Sequence, residues 1–158
     1  MSFALVAENL KATNTVAAFD WRGHGGHSRE DETNMSQEQL IQDSIEVLTY
    51  LHQKFENRTM VLIGHSMGGA IATKTVEHLE SKMADSELKK AILGCVIIDV
   101  VEGTAMEALP FMEQIVKNRP PQFPDLVSVV KYGVIGGQVK NKKSARISMP
   151  AQVKSVVD

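Results

Sequence analysis

The stretch TMVLIGHSMGGAIATKTV, residues 59–76, decides the fold class of this 158-residue chain. An apolar run stops at Gly64, and a helical pattern begins shortly after it. The letters GHSMG at 64–68 match the G-x-S-x-G motif, in which a serine occupies a tight turn between a strand and a helix. Side chains at the positions of Gly64 and Gly68 are expected to clash with nearby backbone in such a turn. The stretch therefore predicts that Ser66 is an exposed nucleophile at the end of a buried strand.

The same turn predicts a place for a developing negative charge. The backbone N–H of Met67 is expected at the start of the following helix, aimed at the oxyanion of an acyl-transfer reaction. The alternative is a glycine-rich turn whose serine only caps the helix. A phosphate-binding P-loop is excluded because no Gly-Lys-Ser/Thr sequence follows. The strand, the helix and the doubled glycine together favour the catalytic turn.

Strand patterns and helix patterns alternate on both sides of this motif. Buried parallel strands are predicted at Thr15–Asp20 and Ala91–Asp99, each ending in an acidic residue. Ser36, with Gln39 three residues later, is the signature of a capping box, and a helix with one apolar face follows it. Further helices are expected over 2–11, from the serine turn to about Lys82, and over 142–149. The alternation predicts an α/β fold, a parallel sheet with flanking helices.

The pattern changes after residue 103. From Thr104 to Pro150 it is helical and interrupted by prolines, which is typical of a lid laid over a sheet. Thr104 is expected to cap the first helix of this part, Pro110 to kink or restart it, and Pro124 to lie in the first turn of the next. We therefore divide the chain into the central part of a core at 1–103, a lid-like segment at 104–150 and a short end at 151–158.

Composition excludes several classes of function. The chain has 17 basic and 19 acidic residues, a net charge of −2, which does not indicate a nucleic-acid-binding protein. No apolar stretch approaches the roughly 18 residues of a membrane span, and the first residues do not resemble a signal peptide. The single cysteine, Cys95, cannot form an internal disulfide and is expected to be a small core residue. A reducing compartment, the cytoplasm or the nucleus, is the expected location.

A nucleophilic serine needs a base, and the base needs an acid to orient it. Asp99 is the predicted acid, because it ends a strand parallel to the strand that leads to Ser66. Both side chains should therefore emerge at the same edge of the sheet. The alternative role for Asp99 is that of a helix cap or loop anchor. Asp20 also ends a predicted strand, but it is expected to stabilise its own loop.

The base is not identified by this reasoning. In this fold class the histidine follows the acid along the chain, but all five histidines of this sequence precede the predicted acid. His65 adjoins the serine, where its side chain should diverge from the hydroxyl. His78 lies about 18 Å along the next helix, and His52 is expected to be partly exposed on a helix face. His24 and His27, in the loop after the first predicted strand, lie on the correct edge, and an ordinary structural role is favoured for both.

Several stretches are similar to those of a known family. They are LIGHSMGGAIA at 62–72, GCVIIDVVEGTAMEAL at 94–109, NRPPQF at 118–123 and KSARISMPAQVK at 143–154. Together they resemble the protein phosphatase methylesterases, which are α/β-hydrolases. The first stretch alone would indicate only the superfamily, whereas IDVVEGTAMEAL and SARISM are more specific. The similarity covers nearly the whole chain, from FDWRGHG at 19–25 onward.

The resemblance implies an activity, a partner and the residues of a site. The family demethylates the C-terminal leucine methyl ester of the type 2A protein phosphatase catalytic subunit. Carried over by position, Ser66 resembles the nucleophile, Asp99 resembles the triad acid, and 102–150 resembles the helical region that shapes the substrate pocket. Hydrolysis of a methyl ester by a serine needs no metal and no organic cofactor.

The sequence also departs from the family pattern. Its late histidine has no counterpart here, nor do the first strands with the glycine-rich loop that supplies a second oxyanion donor. HGGHS at 24–28 resembles that loop but follows a different strand. We expect a piece of a longer protein that begins at an internal methionine, with unpaired edges or a gap in its sheet and little activity alone. The alternatives are a non-catalytic phosphatase-binding module and another esterase of the same superfamily.

Overall fold

The structure, a computed structural model, describes residues 2–25, 33–99 and 102–155. Within them the elements follow one another in the order α1 (Ala4–Leu10), α2 (Gln37–Lys54), β1 (Met60–His65), α3 (Met67–Lys82), α4 (Glu87–Ala91), β2 (Ile92–Ile98), α5 (Glu102–Lys117), α6 (Leu126–Ile135), α7 (Lys142–Ser148) and a 3₁₀ turn (Pro150–Gln152). The predicted α/β class is confirmed, because parallel strands and helices alternate along the central part of the chain.

The sheet consists of β1 and β2, which pair in parallel from Met60↔Ile92 to His65↔Ile98. β1 ends at His65, two residues beyond Ile63, the last residue of the apolar run. The strand therefore ends next to the serine turn. Within the described residues both strands lie at an edge of the sheet, in agreement with the expected unpaired edges. Parallel pairing brings the carboxyl ends of the two strands to one rim, which is where the candidate site lies.

The strand predicted at Thr15–Asp20 was wrong. These residues have no strand pairing, and all six are exposed. An apolar run becomes a strand only when a neighbouring strand supplies hydrogen-bond partners and its side chains gain a covered face. The predicted helix over 2–11 is confirmed as α1.

Helix α2 begins as its sequence predicts. The Ser36 side chain accepts a hydrogen bond from the Gln39 amide at 3.3 Å, which satisfies one of the free N–H groups of the first turn. The apolar face of α2 then packs with α3, α4 and the inner face of the sheet in one core cluster. Its buried members are Ile41, Ile45, Leu48, Leu79 and Leu88.

Helix α3 lies against both strands and against α2, and Leu79 and Thr75 of α3 are fully buried. The predicted end of this helix at Lys82 is confirmed. The polar connection that follows contains α4, whose cap Ser86 accepts a hydrogen bond from Lys89 N. Leu88 anchors this short helix in the core.

The face of the sheet away from α3 is apolar and exposed. Parallel pairing places Val61, Ile63, Val96 and Ile98 on this face, and each is between 42% and 54% exposed. Parallel sheets ordinarily have both faces covered, so this surface lacks a cover within the described residues.

The helical part after β2 differs from prediction at its prolines. α5 begins at Glu102, two residues before the expected cap Thr104, and it continues across Pro110 without a restart. Pro124 precedes the next helix instead of lying in its first turn, because Asp125 caps α6 by accepting a hydrogen bond from Ser128 N at 2.7 Å. The helix expected over 142–149 is confirmed as α7, which ends before Pro150.

Residue contacts divide the described chain into two units. One contains 2–20, 24–25 and 115–155, with a core in which Val129, Ala145 and Met149 are buried. The other contains 21–23, 33–99 and 102–114, including the sheet and the serine turn. The division at 103 and 150 stays a prediction.

Candidate active site

Ser66 occupies the turn between β1 and α3 with φ 51° and ψ −123°. This conformation is rare for a residue that has a side chain and carries a cost of about 1–3 kcal/mol. The Ser66 amide donates a hydrogen bond to the carbonyl of Ile98 at 2.9 Å, which ties the turn to the end of β2. The residue is exposed. The predicted strained turn with an accessible serine is therefore present.

The two glycines that flank the serine do not have the same role. A Cβ atom added to Gly64 would lie 2.5 Å from the carbonyl carbon of Gly68 and from the amide nitrogen of Gly69. These backbone atoms cannot move without opening the turn, so glycine is required at 64. A Cβ atom at Gly68 would meet only Trp21 Nε1, at 3.9 Å, which is ordinary contact. The predicted clash at Gly68 was wrong.

Met67 is the first residue of α3, so its amide lies at the amino end of a 16-residue helix. The first N–H groups of a helix have no partner within it, and the helix dipole adds partial positive charge there. Within the described part of the chain, the Met67 amide donates no hydrogen bond. The position suits an oxyanion donor, and that role stays a prediction.

Asp99 directly follows β2, and its φ is 52°. Because His65 pairs with Ile98 in the strand register, the next residues along each strand, Ser66 and Asp99, emerge side by side. The side chain of Asp99 is 76% exposed. The structure therefore brings the two predicted site residues to the same rim, while the role of Asp99 as the triad acid stays a prediction.

His65 makes a contact that sequence reasoning missed. Its Nε2 lies 3.8 Å from Oδ2 of Asp99, and its side chain is 53% exposed. The positions of these residues in the sequence could have indicated the contact. His65 is the last residue of β1 and Ile98 is the last residue of β2, so Asp99, which follows Ile98, lies next to His65. In the described part of the chain, His65 forms no hydrogen bond with the Ser66 hydroxyl, so it is not placed as its base.

Within residues 2–25, 33–99 and 102–155, no other histidine forms a hydrogen bond with the Ser66 hydroxyl. His52, expected to be partly exposed, is 9% exposed, with Nδ1 3.3 Å from the carbonyl oxygen of Arg58, so that prediction was wrong. His78 is half-buried on α3. His24 lies in a bend, and His27 is outside the described residues. The base therefore stays unassigned.

A buried ion pair holds the segment next to the serine turn. Arg22 Nη2 donates to Asp43 Oδ1 at 2.6 Å, Arg22 Nε donates to Asp43 Oδ2 at 2.5 Å, and Gln39 Nε2 donates to Oδ1 at 3.1 Å. Both charged side chains are less than 8% exposed. Trp21, adjacent to Arg22, lies beside Gly68. The pair thus fastens to α2 the segment that carries this indole, and sequence patterns gave no sign of it.

Two further classes of site are not found. Among residues 2–25, 33–99 and 102–155, no three histidine, cysteine, aspartate or glutamate side chains form a group that could hold a metal ion. In those same ranges, none of the helices has the length and apolar character needed to cross a membrane. Cys95, predicted to be a core residue, is only half-buried in β2, and this partial burial raises the pKa of its thiol.

Comparison with known proteins decides the family. A family model described as serine aminopeptidase S33, a group of α/β-hydrolases, matches residues 2–157. The chain belongs to this family. It is accordingly an α/β-hydrolase, and the turn at Ser66 is the element that characterises the serine hydrolases of this fold.

Curated relatives narrow the resemblance within the α/β-hydrolases. Protein phosphatase methylesterase 1 of Bos taurus is 40% identical over 139 residues, 88% of this chain and 34% of that protein. The protein of the same name from Cryptococcus neoformans is 34% identical over 158 residues, 95% of this chain and 36% of its own length. A probable protein phosphatase methylesterase 1 of Caenorhabditis elegans is 36% identical over 141 residues. The predicted resemblance is confirmed, and the chain spans about a third of the length of these relatives.

Proposed function

We propose that this α/β-hydrolase chain carries the nucleophile of a protein methylesterase. Its substrate would be the methyl ester on the C-terminal leucine of the type 2A protein phosphatase catalytic subunit, which would also be its partner. The observation that carries the proposal is the turn at Ser66, exposed and strained beside Asp99. The class of substrate is inferred from the relatives, which are protein phosphatase methylesterases.

The reaction needs two displacements at one carbonyl carbon. Ser66 Oγ attacks the ester carbonyl, its proton goes to a base, and the oxyanion faces the Met67 amide. Collapse of the tetrahedral intermediate breaks the bond to the methoxy oxygen, which takes up the proton and leaves as methanol. Water then attacks the acyl-enzyme, giving a free carboxylate and restoring the Ser66 hydroxyl. Asp99 would orient the base throughout.

Imidazole provides a test, because it can stand in for a base that the described residues do not place near Ser66. The substrate is a peptide ending in leucine methyl ester, and released methanol is measured. We expect turnover near background without imidazole, since loss of one triad member removes most of the rate. Added imidazole should raise methanol release at least about tenfold through general-base catalysis.

Matched variants make this test specific. Ser66→Ala should abolish the imidazole-dependent release, while Ser81→Ala, at an exposed helical serine, should leave it unchanged. Equal release by wild type and Ser66→Ala in imidazole would refute the proposed nucleophile. A peptide ending in leucine anilide serves as the comparison substrate, and faster release of aniline than of methanol would favour peptidase chemistry instead.

A second candidate function is docking on the phosphatase without catalysis. It is favoured by α5, whose large apolar side chains are between 47% and 67% exposed: Met106, Leu109, Phe111, Met112, Ile115 and Val116. Such residues are the usual anchors of a helix in a partner's groove. Capture of the purified phosphatase catalytic subunit by the chain, lost in Leu109→Glu and retained in Ser66→Ala, would support this function. Absence of capture would remove it.

A further inference from the structure

The two units of the chain carry opposite charge. Residues 2–20, 24–25 and 115–155 contain nine basic and three acidic side chains, a net charge of +6. Residues 21–23, 33–99 and 102–114 contain seven basic and twelve acidic side chains, a net charge of −5. The net charge of −2 for the whole chain conceals this division.

The positive charge is concentrated around α7. The sequence KNKKSAR at 140–146 places Lys140, Lys142, Lys143 and Arg146 within seven residues, and all four are exposed. Lys143 Nζ lies 3.9 Å from Glu8 Oε2 of α1. Within the described ranges, the other three have no acidic group within 4 Å. Like charges one helical turn apart, such as Lys142 and Arg146, repel each other. Binding of an anionic ligand would reduce this repulsion.

A groove lies beside this cluster, between α1 and α7. Its volume is about 440 Å³, and it is shallow and largely open to solvent. Its apolar lining comes from Ala4, Leu5, Ala7, Val16 and Ile147. Glu8 and Lys11 supply its polar part, and Glu8 is the residue that contacts Lys143. The small alanines leave a recess that a side chain of leucine size could enter.

The groove and the cluster adjoin in the sequence of α7. Ile147 lines the groove, Arg146 precedes it, and Lys143 lies one turn before it on the same helical face. A ligand whose apolar part enters the groove therefore meets positive charge at the rim. We propose that the α1–α7 groove binds an acidic peptide segment, with one apolar side chain in the recess and carboxylates facing Lys11 and the basic residues of α7.

Other polyanions fit this surface less well. Single-stranded nucleic acid is held by aromatic side chains on which bases stack, and the groove lining has none. Phe123 and Tyr132 of the same unit pack against each other, with ring centroids 5.3 Å apart. An anionic membrane would require an exposed apolar face on the basic helix itself, whereas Ala145 and Met149 at α7 are buried. A peptide supplies both carboxylates and an apolar side chain.

The test uses the whole chain and the fluorescein-labelled peptide Glu-Glu-Glu-Leu-Glu-Glu-Glu. Binding is measured by fluorescence anisotropy at low salt. Reversing three charges with Lys140→Glu, Lys142→Glu and Arg146→Glu should weaken binding at least about tenfold, because complementary charge is lost. The control carries the same change in charge on exposed lysines of the other unit, Lys54→Glu, Lys74→Glu and Lys82→Glu. It should bind within about twofold of wild type. Equal weakening by both triple variants would overturn the proposal.

A second comparison separates the groove from the charge. Ala7→Leu fills the recess and should weaken the peptide, whereas Asn9→Leu, on the same helix but outside the lining, should not. A peptide with serine in place of leucine should bind more weakly to wild type. Equal affinity for the two peptides would refute the apolar part of the site. Tighter binding of a thymidine 20-mer or of phosphatidylserine vesicles would refute the peptide assignment.

Discussion

Ser66 and Asp99 emerge side by side from the carboxyl ends of two paired parallel strands, and both hold a left-handed backbone, with φ of 51° and 52°. Both residues have a side chain in a backbone conformation that favours glycine, so each conformation lowers the free energy of unfolding. Strain of this kind persists where the surrounding structure enforces it. Here the Ser66 amide donates a hydrogen bond to the carbonyl of Ile98, the residue before Asp99. This hydrogen bond links the two strained turns directly.

Removing the side chain of the strained serine should stabilise the protein. Ser66→Gly relieves a conformational cost of about 1–3 kcal/mol and adds about 0.5–1 kcal/mol of glycine entropy, so the free energy of unfolding should rise by about 1 kcal/mol. Ser66→Ala keeps a Cβ atom and with it the strain. Urea unfolding of both variants measures the difference, and equal stabilities would show that residue 66 is not strained.

The two glycines of the turn should respond oppositely to alanine. Gly64→Ala forces a Cβ atom into the backbone of Gly68 and Gly69 and should lower the free energy of unfolding by about 3 kcal/mol. Gly68→Ala meets only an ordinary contact and improves helix propensity, so it should raise stability by up to about 1 kcal/mol. The urea midpoints of Gly64→Ala and Gly68→Ala, compared with that of wild type, measure both effects. A tolerated alanine at 64 would contradict the geometry of the turn.

Breaking the buried ion pair should lower the free energy of unfolding strongly, whereas replacing both of its residues by apolar ones should lower it little. Asp43→Ala removes the carboxylate that accepts two hydrogen bonds from the buried Arg22 guanidinium and should lower the free energy of unfolding by about 3–5 kcal/mol. The double variant Arg22→Met with Asp43→Leu removes both charges and should lie within about 2 kcal/mol of wild type. Fluorescence of Trp21, the single tryptophan, reports unfolding from the residue next to the pair. A double variant as unstable as Asp43→Ala would show that the pair itself supplies the stability.

Helix α6 should lose stability in acid. Hydrogen bonds from Ser128, backbone first, lower the pKa of Asp125 below its ordinary value of about 3.9. A carboxylate with a depressed pKa in the folded state contributes stability that is complete above the unfolded pKa and is lost as pH falls through the folded pKa.

Asp125→Asn keeps a capping oxygen without a titrating charge, so it serves as the control for that acid sensitivity. The urea midpoint of wild type should fall more steeply than that of Asp125→Asn between about pH 5 and pH 2. Parallel curves would contradict a contribution from the Asp125 carboxylate.

Cys95 should react slowly while the chain is folded. Burial raises the pKa of its thiol, and the thiolate is the nucleophile. At pH 8, alkylation by iodoacetamide should be at least about tenfold slower in the folded chain than in urea, as followed by mass spectrometry. Equal rates would mean that β2 does not shield the sulfur.

The sequence by itself determined the features that depend on short stretches of chain. The turn at Ser66, the cap at Ser36 and the end of α7 before Pro150 follow from backbone sterics and from hydrogen bonds between residues a few positions apart. The alternation of strands and helices around the turn determined the fold class. Each of these follows from a local rule, so each could be predicted.

Only the tertiary structure decided what depends on partners distant in sequence. Thr15–Asp20 has an apolar pattern but gains no strand neighbour, so it stays irregular. His52 is buried by its packing within the fold, and its Nδ1 lies near a carbonyl six residues away. Arg22 reaches Asp43, and His65 reaches Asp99, because the fold brings separate elements together. Burial, strand pairing and ion pairs depend on the long-range packing of the chain, which local sequence patterns do not specify.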